Sequence, residues 1–199
     1  MAPNSDLLPL TLSAFADLGY EGASVRALCR RLGVSHNLLY QRFGSKEQLW
    51  YAAVDHGFAI LASDMADAAV EAEQLDDDLA RLRFMMIRWL ERMATSPDLA
   101  KIINQEAAAG GERMTYMFER YIAPNTDYII RFIRKLERQG RVRHVEPGTW
   151  HFLVMHGAGG PLSLVALADL FGMTPRGARQ VHDYASEVVD LLLTGISAG

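Results

Sequence analysis

Between Gly19 and Ser45 the sequence stops and restarts a helix three times, and this punctuation limits the fold more than any other feature. Gly19 closes one segment and Ser24 opens the next. Gly33 closes that one and Ser35 opens another, while Ser45 follows the segment ending at Phe43. Glycine ends helices because it enters the left-handed region without a Cβ clash, and a serine hydroxyl accepts from the free amides of a first helical turn. Helices this short are marginal alone, so they must pack on one another and on a longer neighbour.

The same spacing rule extends along the chain. Apolar residues recur three and four apart, and no alternating strand pattern lies between turn signals. The first helix is expected over about 6–18, with Leu8, Leu12 and Phe15 inward, and Pro9 in its first turn or at a kink. Short helices follow over about 24–32 and 36–43. Ser45 caps a longer one with Gln48 at the capping-box position, running to about Ala72. Asp76, Asp77 and Asp78 start the next, which ends near Thr95, and Ser96-Pro97 starts another that breaks at Gly110-Gly111. A long helix over about 112–139, interrupted near Pro124, closes at Gly140. Two more are expected, over about 148–171 and 175–195. The sum is an all-α chain of about nine helices. It divides into an N-terminal three-helix helix-turn-helix domain, residues 1–50, and a C-terminal helical domain, residues 51–199.

Charge separates these two parts. The chain has 199 residues and a formal charge of −4, yet from Gly22 to Lys46 the cations Arg26, Arg30, Arg31, Arg42 and Lys46 occur without one Asp or Glu. A polyanion would be repelled by the acidic remainder and attracted to this window. The single cysteine, Cys29, is read as a small packed residue with no resolving partner. The first ten residues lack the basic and apolar regions of a secretory signal, so the expected location is cytoplasmic. The uncharged run from Pro147 to Ala168 is interrupted by prolines, glycines and histidines. It is read as a helix buried on two sides, not as a membrane span.

Helix, glycine-containing turn and helix between Val25 and Phe43 have helix-turn-helix spacing. Val25, Leu28, Cys29, Leu32, Val34, Phe43 and one of Leu38 and Leu39 are expected to pack inward. The opposite face of the second helix carries His36, Asn37, Tyr40 and Gln41, which hydrogen-bond without adding negative charge and suit a major groove. Ser24 and Lys46 lie at helix N-termini, where free amides and the helix dipole favour phosphate. Arg26 and Arg42 add charge.

The stretch GYEGASVRALCRRLGVSHNLLYQRFGSKEQLW resembles the DNA-binding domain of the tetracycline-repressor (TetR) family of one-component transcriptional regulators. The likeness covers about Leu7 to Val54. It is carried by the Phe15-to-Tyr20 ending of helix one, Ser24-Val25-Arg26, Gly33-Val34-Ser35, Leu39-Tyr40, Phe43 and Ser45-Lys46. The resemblance implies base contacts from His36, Asn37 and Leu38, with Ser35 at the helix start, and backbone contacts from Ser24, Tyr40, Gln41 and Lys46. Two departures stand out. Met1–Asp6 carries no Arg or Lys for an N-terminal DNA arm, and Asn37-Leu38 replaces the commoner Gly-Thr pair. Beyond residue 55 the resemblance is one of helix number, length and order.

In this family the middle helices enclose an effector. Met85, Trp89 and Met93 form one helical stripe, and Met114, Met117, Phe118 and Tyr121 another. Each residue taken singly is ordinary core. As a set, with Phe58 and Met65, they could line an adaptable pocket, with Arg88, Gln105, Glu106 and His156 as polar partners. The apolar residues of the last helix, from Val181 to Ile196, cover too much circumference for one contact, which suggests a homodimer through the last two helices. His151 and His156 are five apart and do not share a helix face as metal ligands would. In His156–Pro161, Gly157 and Gly159 are expected to permit close helix approach, with a kink before Pro161.

No nucleophile–base pair and no metal-ligand spacing is present, so neither an enzyme nor a cofactor is expected. The reading is a DNA-binding transcriptional regulator, a repressor released from a palindromic double-stranded operator by a small apolar or aromatic effector. The alternative is a helical small-molecule carrier whose helix-turn-helix no longer binds DNA.

Overall fold

In the computed structural model, residues 4–198 are described, with side chains from Leu7 onward, so Met1–Pro3 of the arm considered above lie outside them. The described residues form helices α1 (Asn4–Gly22), α2 (Val25–Leu32), α3 (His36–Phe43), α4 (Lys46–Ala72), α5 (Asp78–Thr95), α6 (Pro97–Ala109), α7 (Glu112–Met117), α8 (Ala123–Arg138), α9 (Pro147–Phe152), α10 (Gly160–Ser163), α11 (Val165–Leu170) and α12 (Gly177–Ile196). One isolated bridge, Val142 to Ser197, is the extended pairing found among them. Among these residues no helix is long and apolar enough to cross a membrane.

The chain divides into two compact units. The first comprises the chain up to Ser63 together with Asp98–Met114. Its helix ends follow the serine and glycine signals. Ser24 accepts from the Ala27 amide, Ser35 from Leu38 and Ser45 from Gln48, at 3.1–3.2 Å. Gly33 takes φ 66°, ψ 29°, and so closes α2 in the left-handed region. Gly19, at φ 67° and ψ 162°, breaks α1 where a stop was expected, and a last turn to Gly22 follows it. Pro9 lies within α1 without any further non-helical residue. Leu7 rather than Leu8 is buried, with Leu12 and Phe15. They share the core with Leu28, Leu32, Leu39, Leu49, Trp50 and Val54, and Leu39 is thereby the inward residue of the Leu38-Leu39 pair.

Helix α6, placed by sequence in the second domain, belongs to this first unit. Its Leu99, Ile102 and Ile103 are buried. At Gly57 a Cβ would stand 3.0 Å from Leu12 and 3.4 Å from Leu99, so α4 meets α1 and α6 where it has no side chain. The Gln105 amide donates to the Ala16 carbonyl at 2.8 Å.

The second unit comprises Asp64–Pro97 and Thr115–Gly199. Its centre is the packing of α12 on α5. Val181, Ala185, Val189 and Leu193 recur every fourth residue on one face and are buried, as are Leu82, Met86, Leu90 and Met93 of α5. Arg83 grips Asp190 with two bonds of 2.6 and 2.9 Å.

Two expected continuous helices are interrupted. Before Pro124 the helix widens into a π turn, Phe118–Ile122, where Ala123 donates to the Phe118 carbonyl. Proline has no amide, so the usual bond to Arg120 is not available. The single helix expected over 148–171 is α9, a π turn (Leu153–Ala158), then α10 and α11. Pro161 and the glycines before it account for the break. The close approach expected at Gly157 and Gly159 is not found. A Cβ on Gly157 would meet nothing within 4 Å, and one on Gly159 would strike the Met155 carbonyl at 2.6 Å. Glycine is needed there by the wide turn itself.

Candidate nucleic-acid interface

Helix α3 is anchored by its buried residue, Leu39, with Leu38, Arg42 and Phe43 half-buried, and turns its other residues outward. His36, Asn37, Tyr40 and Gln41 are exposed, and Leu38 is half-buried. The His36 and Tyr40 rings lie one helical turn apart and nearly parallel, with centroids 6.5 Å apart and planes 8° from each other. Tyr40 is 66 % exposed, more than is usual for a side chain that is mostly apolar ring.

Behind these rings, a cleft of about 270 Å³ is lined by Val25, Leu28, His36, Leu39, Tyr40, Gly44, Ser45, Lys46 and Leu49. Its walls come from α2, α3 and the start of α4. Its lining includes the polar Ser45 and Lys46 at the start of α4.

The cations of the window are not equivalent. Arg31 is bonded to Asp17 and to Ser13 on α1. The Arg31 guanidinium, ahead of any other group, holds the Asp17 carboxyl below the usual aspartate range. Arg31 thus serves packing and its charge is compensated. Arg26 and Arg30 are exposed, while Arg42 and Lys46 are half-buried. The exposed face of α3 carries no carboxylate, as a phosphate backbone requires, while an exposed Glu47 stands beside Lys46 in the first turn of α4.

Sequence reasoning gave no contact role to Tyr20, named only within the ending of helix one, and did not single out Arg113. The Lys46 ammonium lies 4.1 Å from the centre of the Tyr20 ring, and the Arg113 guanidinium lies 3.7 Å from the same point. Arg113 also pairs at 2.9 Å with Glu106, a carboxylate only 3 % exposed. Burial, its leading cause, raises the Tyr20 hydroxyl above the ordinary tyrosine value. The Glu-to-Arg spacing of seven across Gly110-Gly111 was the available signal.

The residues assigned to an effector pocket fall in both units. Phe58, Gln105 and Glu106 lie in the first, where Gln105 and Glu106 are engaged as described. In the second, Met93 and Met117 are buried, Met65, Met85, Trp89 and Tyr121 are half-buried, and Phe118 and His156 are exposed. Arg88 pairs with Glu71 at 3.7 Å and Glu91 at 3.5 Å on the surface. The Tyr121 hydroxyl accepts from Arg120 at 3.0 Å. His156 stacks on Phe152, with centroids 5.2 Å apart. His151 faces Thr126 at 3.4 Å, and burial first, then His156, lowers its pKa.

Residues 7–53 match the profile of bacterial regulatory proteins of the tetR family. No curated protein matches the chain. Solved structures similar over their whole length include PfmR, a TetR-family transcriptional regulator from Thermus thermophilus, with 21 % identity, a TM-score of 0.66 and full coverage of both chains. The transcriptional regulator FadR from Bacillus subtilis, in complex with stearoyl-CoA, is 11 % identical with a TM-score of 0.70, covering 98 % of this chain and 100 % of its own. AibR, in complex with isovaleryl coenzyme A and operator DNA, is 19 % identical with a TM-score of 0.70 and 97 % coverage of each chain.

Proposed function

We propose that this chain, whose amino-terminal domain is that of the tetR family of bacterial regulatory proteins and whose fold is that of TetR-family regulators, is a DNA-binding transcriptional repressor released by a small molecule. The observation that carries the reading is the exposed, carboxylate-free face of α3, flanked by three serine-capped helix starts.

In this reading α3 enters the major groove. His36, Asn37 and Leu38 meet base edges, and Ser24, Arg26, Ser35, Tyr40, Gln41, Arg42 and Lys46 meet the backbone. Asn37 is the specificity residue, because its amide can donate and accept together at an adenine edge. Asn37→Ala should cost about 1–3 kcal/mol at one operator position and relax preference there. Binding-site selection from a random duplex pool, run with wild type and Asn37→Ala, tests this. Identical enriched sequences would reject the placement.

The effector is an apolar or aromatic molecule taken by the second unit. Its half-buried Met85 and Trp89 and its two π turns support the reading, since such turns recur at functional sites. The acyl chain of an acyl thioester has this apolar character, although its coenzyme A part is charged; FadR and AibR were solved with such thioesters. Helix α4 is continuous from Lys46 to Ala72, so one element carries both a DNA contact and part of the second unit. A hundredfold loss of operator affinity needs only about 2.7 kcal/mol of preference for the non-binding conformation. Trp89→Ala should remove the response to effector and leave DNA affinity nearly unchanged.

A further inference from the structure

The start of α4 is held from inside its own unit by groups that the DNA-facing surface does not account for. Lys46 places its ammonium 4.1 Å from the centre of the Tyr20 ring, a distance at which the ring's negative face attracts a cation. A lysine side chain otherwise samples many rotamers, and fixing it on a phosphate forfeits that freedom. Docked on an aromatic face, it has lost part of the freedom before DNA arrives.

The ring is itself fixed. Phe15 stacks on it with centroids 6.0 Å apart, Trp50 meets it edge-on at 6.3 Å, and the Arg113 guanidinium lies 3.7 Å from its centre. Arg113 would repel Lys46 if its charge were bare. Glu106 at 2.9 Å and Glu21 at 3.7 Å compensate it. Gly110 and Gly111, at φ 70° and 91°, make the turn that brings Arg113 of α7 back over Glu106 of α6.

We propose that Tyr20 and Arg113 are positioning residues for DNA binding: Glu106 seats Arg113 against the Tyr20 ring, and the ring presents the Lys46 ammonium to a phosphate. The proposal rests on the assignment of Lys46 to the DNA backbone.

Sheared genomic duplex DNA, titrated over a range of salt concentrations, supplies the test without knowledge of the operator. The variants are Lys46→Ala, Tyr20→Phe, Tyr20→Leu and the pair Arg113→Gln with Glu106→Gln, which leaves no unpaired buried carboxylate. Tyr20→Leu and the Gln pair are also made in the Lys46→Ala background. Lys46→Ala should flatten the salt slope by about one unit. Tyr20→Leu and the Gln pair should each weaken binding about two- to fivefold when Lys46 is present, and have no effect when it is absent. Tyr20→Phe should bind as wild type. General destabilisation would persist in the Lys46→Ala background, so equal losses with and without Lys46 overturn the proposal. No loss in Tyr20→Leu overturns it too. An unchanged slope in Lys46→Ala overturns instead the backbone assignment on which it rests.

Discussion

Glu106 is the charged side chain most fully withdrawn from water among the described residues, and its partner Arg113 reaches it across a turn of two glycines. Removing one member of a buried pair leaves the other uncompensated, which costs far more than the pair itself gains. Arg113→Ala should therefore lower unfolding free energy by about 3–5 kcal/mol, measured by denaturant titration, and adding Glu106→Leu should restore most of it. The sequence offered Glu106 as one of the candidate polar partners for an effector. What the helix pattern could not supply was the cation seven residues on, since periodicity describes one helix and not the fold-back between two. The exposed face of α3 was legible for the converse reason: caps, turn glycine and inward Leu39 all lie within a short stretch of chain.

At the scale of elements, local signals set the ends of α2 to α6 closely, and they failed where a helix changes its winding. Pro124 and Pro161 announced interruptions, but not that each would be preceded by a π turn; that depends on how the neighbouring helices pack. Gly33 is the element boundary most exposed to test. At φ 66° an alanine there enters the left-handed region, and Gly33→Ala should destabilise the first unit by about 1–2 kcal/mol, read as a lower melting temperature with α2 and α3 otherwise intact. The pairing of His144 with Glu146 and Glu137, between α8 and α9, predicts that this link is sensitive to pH. Hydrogen bonds to Glu146 first, and then Glu137, raise the pKa of His144 above its ordinary value. A raised folded value means the contribution is complete below about 6.5 and fades as pH rises through the folded value. Amide exchange over 141–146, corrected for intrinsic rate, should be slower at about pH 6 than at about pH 8.5, and His144→Asn should erase the difference.

For the whole molecule, the pattern of the last helix implied two apolar faces, and the structure assigns the first. Val181, Ala185, Val189 and Leu193 are buried within the second unit. Leu191 remains exposed on α12, as do Leu167, Leu170 (85 %), Phe171 (73 %) and Met173 on and after α11. Apolar side chains so exposed are suited to a partner surface, and we propose that they face a second copy of the chain in the homodimer expected from the sequence. Phe171→Glu with Leu170→Glu should convert a dimer to monomer in sedimentation at micromolar concentration. It should also abolish preference for paired half-sites while sparing non-specific DNA binding. A two-fold dimer of this kind predicts an operator that is an approximate palindrome.

The claim on which all of this depends is that α3 and the start of α4 bind duplex DNA. Equilibrium binding of genomic duplex DNA by wild type and by the Tyr40→Ala, Lys46→Ala double variant tests it most directly, over a range of salt concentrations. The account requires weaker binding by the variant to every sequence and a salt slope lower by about one unit for the lost lysine contact, with the variant's melting temperature unchanged. Equal affinity and equal slope for the two proteins would contradict it.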